Sequence, residues 1–278
     1  MRPPRLSVLL ETYRQPEILK LTLQDLNAQK YPSDSWELVL LDDGGRDHSI
    51  ERAMEILDQD ITLITKRLPN GGNYEHSKLF NEMLRLANLD SEVFVHVEDV
   101  RIREDFLTQH AKWHSGSRLY LVTGPVCEGE VKNFEHELDG RWNLMKMSGV
   151  ISQSYQCCFQ AIFAKSMSYS AKLVDKLLKA DGEVFDSHMS GWGYQETEFA
   201  LRAEQAGATC VYDVSVAVHH PLHKSQVELI RRKLDREQIL SSGKEKNIRY
   251  LCKKHGMTKL PDWKVGVPIE TLQVDFGW

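Results

Sequence analysis

Two stretches decide the predicted fold: Arg5-Leu-Ser-Val-Leu-Leu-Glu-Thr-Tyr13 and Trp36-Glu-Leu-Val-Leu-Leu-Asp42-Asp43-Gly44-Gly45. Each contains a near-continuous apolar run, which is typical of a strand buried on both faces of a parallel sheet. Between them apolar residues recur at helical spacing, and Pro16 stands where the first turn of a helix tolerates proline. The chain is therefore predicted to open with the strand–helix–strand unit of an α/β fold.

Polar residues follow both predicted strands at their carboxyl ends. Thr12 and Tyr13 follow the first strand, and Asp42 and Asp43 follow the second. In open α/β sheets, ligands bind outside the carboxyl ends of the strands. These four residues are therefore expected on the binding edge of the sheet.

The composition is that of a soluble protein rather than a nucleic-acid or membrane protein. The chain has 278 residues and a net charge of −5, with its basic residues dispersed, which argues against binding driven by phosphate neutralisation. No apolar run reaches the roughly 20 residues that a membrane span needs. Five cysteines without metal-ligand spacing, and no apolar signal region, predict reduced thiols and a cytoplasmic location.

A second pair of carboxylates, Glu98 and Asp99, follows the apolar run that ends at Val97. Clustered carboxylates repel one another unless a cation offsets them, and Mg²⁺ or Mn²⁺ prefers oxygen ligands. Asp99 is thus a candidate metal ligand, although the two acids could also simply open a turn. Neither a dinucleotide-binding glycine pattern nor a phosphate-binding P-loop is present, so neither of those nucleotide sites is expected.

The order of motifs resembles glycosyltransferase family 2, whose members have the GT-A fold. The resemblance covers residues 5 to about 223. It is carried by Ser7–Glu17, Ala28–Pro32, Leu38–Gly44, Lys78–Asn81, Val97–Asp99 with Phe106-Leu107, Phe185-Asp186, Gly191-Trp-Gly-Tyr-Gln-Glu196-Thr-Glu198, Leu201-Arg202, and Val218-His219-His220 with His223.

The fold implied by this resemblance is a Rossmann-like α/β fold, with a mostly parallel central sheet and helices on both faces. Residues 1–223 would form the GT-A domain, with a nucleotide-sugar-binding half at 1–115 and an acceptor-binding half at 116–223. A polar, charge-rich stretch at 224–278 is predicted to be a C-terminal helical extension that ends in an irregular segment around Pro261 and Pro268.

The resemblance also assigns roles around a nucleotide-sugar donor, usually a UDP-sugar. The nucleotide-binding residues would be Thr12, Tyr13, Asp43, Asn81 and Glu98. Of these, Asp43 would accept a hydrogen bond from the base, and Glu98 would lie near the ribose. A divalent metal, Mn²⁺ or Mg²⁺, would be held by Asp99 and His220, although histidines after a strand are also common on protein surfaces.

The acceptor side of the resemblance ends in the catalytic base. The family pattern Gly-Trp-Gly-Gly-Glu-Asp reads Gly-Trp-Gly-Tyr-Gln-Glu here, so Glu196 keeps a carboxylate and Gln195 cannot ionise. Glu196 is therefore expected to be the base and Gln195 to bind acceptor; an acid there would also stabilise a helix N-terminus. Trp192 would be either a sugar-stacking platform or a core aromatic.

Together these features predict a metal-dependent, inverting glycosyltransferase that moves a sugar to a hydroxyl acceptor, such as a carbohydrate. A nucleotidyltransferase of similar fold and a catalytically inactive GT-A-like binding module are the alternatives. The basic positions Lys253 and Lys254 are interpreted as a solvated helix face, with acceptor docking or peripheral contact with lipid headgroups left open.

Overall fold

The computed structural model describes residues 2–45, 47–69, 75–130, 132–147, 149–221 and 233–270, with the side chains of 138 and 233–242 left aside. His223, which the resemblance places after the last strand, lies outside these residues. The helices are α1 (Pro16–Asn27), α2 (Ser49–Ile56), α3 (His76–Leu86), α4 (Phe106–Trp113), α5 (Trp142–Lys146), α6 (Ala171–Asp181), α7 (Gln195–Gln205) and α8 (Lys233–Lys254). The strands are β1 (Leu6–Thr12), β2 (Trp36–Asp42), β3 (Thr62–Arg67), β4 (Val93–Val97), β5 (Tyr120–Thr123), β6 (Val126–Gly129), β7 (Ser154–Gln156), β8 (Ser166–Ser170), β9 (Thr209–Asp213), β10 (Val218–Pro221) and β11 (Val267–Ile269).

Nine of these strands form one central sheet, in the order β11-β7-β9-β5-β8-β4-β1-β2-β3. The strands β3, β2, β1 and β4 are parallel to one another, as predicted from their apolar runs. The register of β1 on β2 sets Thr12 opposite Asp42. Consequently the carboxyl ends of β1, β2 and β4 lie side by side. A separate ladder pairs β10 with β6.

The two faces of the sheet bury different helices. Val8 and Leu10 pack in one apolar cluster with side chains of α1, α2 and α4. Leu9, between them, packs in the other with side chains of α3, α6 and α7. Since successive strand residues point to opposite faces, helices cover both sides of the sheet, and the predicted α/β architecture is confirmed.

Strand β8 departs from the sequence prediction, which assigned no strand to Ser166–Ser170. It lies in the middle of the sheet, antiparallel to both β4 and β5. Two of its buried serines are hydrogen bonded: Ser168 Oγ lies 2.8 Å from His110 Nδ1, and Ser166 Oγ donates to the Val216 carbonyl at 2.7 Å. A strand that buries paired hydroxyls has no apolar run to reveal it.

The C-terminal segment returns to the body of the protein. Strand β11, in the stretch predicted to be irregular, pairs antiparallel with β7 at the edge of the sheet. Pro268 is tolerated there because an edge strand leaves half of its backbone groups unpaired. Within the described ranges, no helix combines the length and apolar character needed to cross a membrane.

Candidate functional site

The carboxyl ends of β1 and β2 form the first part of the candidate site. The Asp43 amide donates to the Thr12 carbonyl at 2.9 Å, so the two strand ends stay joined beyond the ladder. Tyr13 follows at once, and the guanidinium carbon of Arg14 lies 5.0 Å from its ring centroid. Arg14 has a φ of 54°, an unfavourable conformation for a residue with a side chain. Such strain is concentrated at ligand sites.

The two aspartates after β2 have different surroundings. Asp42 is fully buried; its Oδ2 accepts from Arg67 Nε and its Oδ1 from the Gly45 amide, both at 2.7 Å. Asp43 instead lines an open cleft of about 410 Å³ together with Lys66 and Lys78. Asp42 therefore holds the turn, and Asp43 faces the space where a ligand would fit.

A cluster of acids and a histidine lies where β1 and β4 end. Glu11 Oε1 is 2.8 Å from His76 Nδ1, at the start of α3. Glu11, His76 and Glu98 each present a ligand atom, and these atoms lie within 4.8 Å of one another. The second oxygen of Glu11, Oε2, is buried and has no hydrogen-bond partner among the described residues. Glu11 Oε2 therefore has lone pairs that no described residue uses.

Burial and neighbouring charge shift the pKa values in this cluster. Burial lowers the pKa of His76, but the Glu11 carboxylate outweighs it and the pKa rises to about 10. Burial raises the pKa of Glu98 to about 7, against the opposing charge of Lys165. His76 is therefore a cation at neutral pH, and the ligand atoms that the cluster offers a metal are carboxylate oxygens.

Asp99, the predicted metal ligand, lies beside Glu98 and contacts two basic side chains. Its Oδ2 lies 3.1 Å from Nε2 of His220, which is buried in strand β10. Its Oδ1 accepts a hydrogen bond from Lys165 Nζ, which also lies 3.4 Å from Glu98 Oε2. The structure thus brings Asp99 and His220 together and adds a lysine that the sequence did not single out.

Glu196, the predicted base, occupies the first turn of α7 and faces the same cluster. Burial raises its pKa, and the nearby charges of His76, Glu11 and Lys165 act on it as well. Tyr194, the residue before the helix, has a φ of 69°. This second strained residue fixes the direction in which α7 leaves the loop.

The two predicted acceptor residues flank this strained turn and have different environments. Gln195 is buried, and its side-chain amide donates to the Gly191 carbonyl. Trp192 is 38% exposed, and Lys244 Nζ lies 4.3 Å from the centroid of its ring. Gln195 therefore shapes the loop, whereas the indole of Trp192 is partly exposed to solvent.

Helix α8 packs against this loop, which we call the acceptor loop (residues 190–194). Asn247 donates to the Gly193 carbonyl at 2.8 Å, and Lys246 donates to Ser190 Oγ at 2.6 Å. A Cβ on Gly243 would lie only 2.8 Å from the Trp192 amide nitrogen, so the helix backbone approaches the loop as only glycine allows. The C-terminal helix thus positions the loop that leads to Glu196.

Buried ion pairs connect helix α8 to helix α7. Glu198 is fully buried; it pairs with Arg202 at 2.8 Å and accepts from Lys254 Nζ at 2.7 Å. Lys254 also donates to Asp186 at 2.7 Å, and Tyr250 donates to Asp186 at 2.8 Å. Lys254, interpreted from the sequence as part of a solvated face, is therefore one end of a buried ion-pair network.

We expect Glu198→Ala to destabilise the protein by about 3–5 kcal/mol, because it leaves Arg202 and Lys254 without their shared buried carboxylate. Urea unfolding followed by circular dichroism measures this loss. The matched control is Glu245→Ala, which removes an exposed partner of Arg249 on α8 and should cost about 0.5 kcal/mol or less. Equal losses in the two variants would show that the network does not hold the helix.

Asn81, predicted to bind nucleotide, has its side chain engaged by backbone. It donates to the Phe185 carbonyl at 2.6 Å and accepts from the Phe185 amide at 2.9 Å. Phe185 stacks on Phe199 of α7, with ring centroids 4.4 Å apart. Asn81 also borders the cleft that contains Asp43. Its contacts thus join the nucleotide side of the site to the segment that precedes the acceptor loop.

The donor set fits a hard divalent cation. When ionised, Glu11, Glu98, Asp99 and Glu196 supply four negative charges, whereas His76 and Lys165 supply two positive charges. The remaining two negative charges match one divalent ion, and the unpartnered Glu11 oxygen is a ligand atom of the kind such ions prefer. Carboxylate oxygens from the ends of β1 and β4 thus make a site that could hold a divalent metal.

Sequence reasoning missed Glu11, His76 and Lys165. A charged residue that interrupts an apolar strand at its carboxyl end was a usable signal for Glu11. His76 and Lys165 follow no recognisable motif, and Lys165 lies in the stretch before β8 whose strand was itself missed.

Solved structures of two proteins resemble this fold. The mannosyltransferase PcManGT from Pyrobaculum calidifontis, in complex with GDP-Man and Mn²⁺, matches with a TM-score of 0.64 and 20% identity over 94% of this chain and 66% of its own. S. aureus TarS matches with a TM-score of 0.58 and 15% identity over 84% of this chain and 39% of its own. TarS in complex with UDP-GlcNAc matches with a TM-score of 0.56 and 15% identity over 79% of this chain and 59% of its own.

No protein-family model and no curated protein matches the sequence. The chain spans two thirds or less of each solved structure named above. At these identities the likeness establishes the fold. The chain has the α/β GT-A-like fold of these glycosyltransferases.

Proposed function

We propose that this protein is a metal-dependent, inverting glycosyltransferase that moves a sugar from a nucleotide-diphosphate donor to a hydroxyl acceptor. The observation that carries the proposal is the meeting of Glu98 and Asp99, which follow β4, with Glu196 of α7 at one edge of the sheet, where both Glu98 and Glu196 act on His76. PcManGT and TarS, which share the fold, were solved with GDP-Man and UDP-GlcNAc respectively, which supports a nucleotide-sugar donor.

The donor would lie along the carboxyl ends of β1, β2 and β4. Thr12 and Tyr13 would contact the base, which we propose is uracil, and Asp43 would accept a hydrogen bond from a base N–H in the open cleft. Glu98 would lie near the ribose. Asn81 would support the nucleotide site indirectly, because its side-chain hydrogen bonds go to the backbone of Phe185.

Asp99 and His220 would hold a divalent metal against the donor diphosphate, with Mn²⁺ supported by the PcManGT complex. When bound, the metal would supply Lewis-acid stabilisation of the charge that develops on the departing diphosphate. The protein's own cations, His76 and Lys165, add positive charge at the same edge. They would stabilise the same developing charge because a partly buried site screens them weakly.

Glu196 would take the proton of the acceptor hydroxyl. Because burial raises its pKa, the carboxylate is a stronger base than an exposed glutamate. Trp192 would present its exposed indole to the acceptor, and Gln195 would keep the loop in shape through the Gly191 carbonyl. Attack from the face opposite the diphosphate would invert the anomeric centre.

A thermal-shift screen of nucleotide sugars tests the donor class. We expect a UDP-sugar with Mn²⁺ to raise the melting temperature, because a ligand at 100 times its Kd adds about 2.7 kcal/mol to the stability of the folded state. The stabilisation should disappear when EDTA replaces Mn²⁺. Stabilisation by GDP-sugars instead would correct the base specificity. No response to any nucleotide sugar with Mn²⁺ would contradict the proposal.

A further inference from the structure

Lys165 carries an inference that rests on the proposed function and extends it. Its ammonium group contacts both Asp99 Oδ1 and Glu98 Oε2, and its side chain is 25% exposed. It lies just before β8, the strand that pairs with β4. This pairing places Lys165 next to Glu98 and Asp99, which follow β4. The lysine thus lies on the oxygen atoms that the proposed metal would use.

An ammonium group and a divalent ion that bind the same carboxylate oxygens repel each other strongly. Lys165 neutralises part of the charge of Glu98 and Asp99, so it lowers their attraction for a second cation. Lys165, Glu98 and Asp99 are partly buried, so solvent screens the repulsion between the ammonium group and a metal ion only weakly. A metal ion that enters alone must displace the lysine and leave its ammonium group near the dication.

A nucleotide diphosphate changes the competition between Lys165 and the metal ion for these oxygens. Its oxygens would accept the displaced ammonium group and supply further ligands to the metal, because Mg²⁺ and Mn²⁺ are usually bound by a few carboxylates together with phosphate oxygens. Lysine is well suited to such a move because its charge is compact and its four-carbon stem is flexible.

We propose that Lys165 is a tethered counter-ion that occupies the metal site in the nucleotide-free protein, so that the metal binds tightly only together with a nucleotide diphosphate. The lysine thereby couples metal binding to donor binding. It is a positioning residue, and its role is measured by metal affinity rather than by turnover.

Mn²⁺ binding to Lys165→Gln tests this role. Electron paramagnetic resonance of free Mn²⁺ gives the Kd without and with UDP. We expect the variant to bind Mn²⁺ at least tenfold more tightly than wild type without UDP, equivalent to about 1.4 kcal/mol. UDP should tighten Mn²⁺ binding strongly in wild type and much less in the variant, because the competing charge is gone.

Two further variants separate the competing charge from side effects. Lys165→Arg keeps the cation and should keep the weak Mn²⁺ binding of wild type. Lys172→Gln removes an exposed lysine on α6 and should also leave Mn²⁺ affinity unchanged. Circular dichroism melts establish that each variant is folded; if Lys165→Gln does not fold, weak Mn²⁺ binding by Lys165→Arg supports the proposal and tight binding overturns it.

The outcomes distinguish this inference from the proposed function. If wild type binds Mn²⁺ with UDP but folded Lys165→Gln shows wild-type affinity without it, the tethered counter-ion is overturned and the proposed function stands. If no form binds Mn²⁺ with or without any nucleotide diphosphate, the proposed metal dependence fails and this inference falls with it.

Discussion

Glu196→Gln is expected to reduce sugar transfer by about 10²–10⁴-fold while leaving the affinity for the nucleotide donor nearly unchanged. A general base contributes a factor of this size, and it acts only when the acceptor hydroxyl loses its proton. The substitution keeps the size of the side chain and removes its ability to take a proton. Steady-state kinetics with the donor give the rate, and titration calorimetry gives the affinity.

The pH profile adds a second readout to the same variant. Burial raises the pKa of Glu196, and the carboxylate must be ionised to act as a base. Transfer should therefore rise with pH along a limb whose midpoint lies above the ordinary glutamate value of about 4.3. Glu196→Gln should lack this limb. Glu204→Gln, at the other end of α7, is the control and should retain it. Wild-type turnover in Glu196→Gln would show that another group is the base.

Asp99→Asn is expected to remove most of the benefit of the metal to donor binding. The amide keeps the size of the side chain but loses the charge that attracts a cation and pairs with Lys165. We expect the ratio of donor Kd in EDTA to donor Kd in Mn²⁺ to fall at least tenfold, equivalent to about 1.4 kcal/mol. Titration calorimetry in the two conditions measures this ratio.

The control for this variant is Glu104→Gln, which removes an exposed carboxylate paired with Lys30. It should preserve the wild-type ratio. If Asp99→Asn also preserves it, Asp99 is not a metal ligand, and the neighbouring oxygens of Glu11 and Glu98 become the site to test.

The sequence was informative where buried strands end in polar residues. The apolar runs of β1, β2 and β4 predict three strands whose carboxyl ends meet, and the structure places Thr12, Asp43 and Asp99 on that edge. This success has a physical reason: parallel strands buried on both faces need continuous apolar runs, so the first polar residue after each run marks the edge.

The sequence was uninformative where polar groups are buried together. In β8, the hydroxyls of Ser166 and Ser168 are hydrogen bonded inside the protein, both of them with His110, and no periodicity predicts that pairing. Lys165 reaches the site only because β8 pairs with β4, a contact between distant parts of the chain. A residue whose role depends on such a contact leaves no local pattern.

The role of the C-terminal segment also depends on distant contacts. Gly243 and Asn247 are unremarkable in the sequence, yet both are fitted to the acceptor loop. From the sequence, Lys254 is interpreted as part of a solvated helix face, whereas its partners Asp186 and Glu198 come from elsewhere in the chain. Helical periodicity alone could not reveal these partners because it describes one helix at a time.

Cleavage of a nucleotide-sugar donor is the direct test of metal-dependent sugar transfer. The purified protein is incubated with UDP-sugars and GDP-sugars in Mn²⁺ or in EDTA, and the nucleoside diphosphate released is quantified by mass spectrometry. We expect release from at least one donor in Mn²⁺, little or none in EDTA, and a large loss in Glu196→Gln, whether water or a sugar hydroxyl is the acceptor. Release of nucleoside monophosphate, or donors that all stay intact in Mn²⁺ with or without added saccharide acceptors, would contradict it.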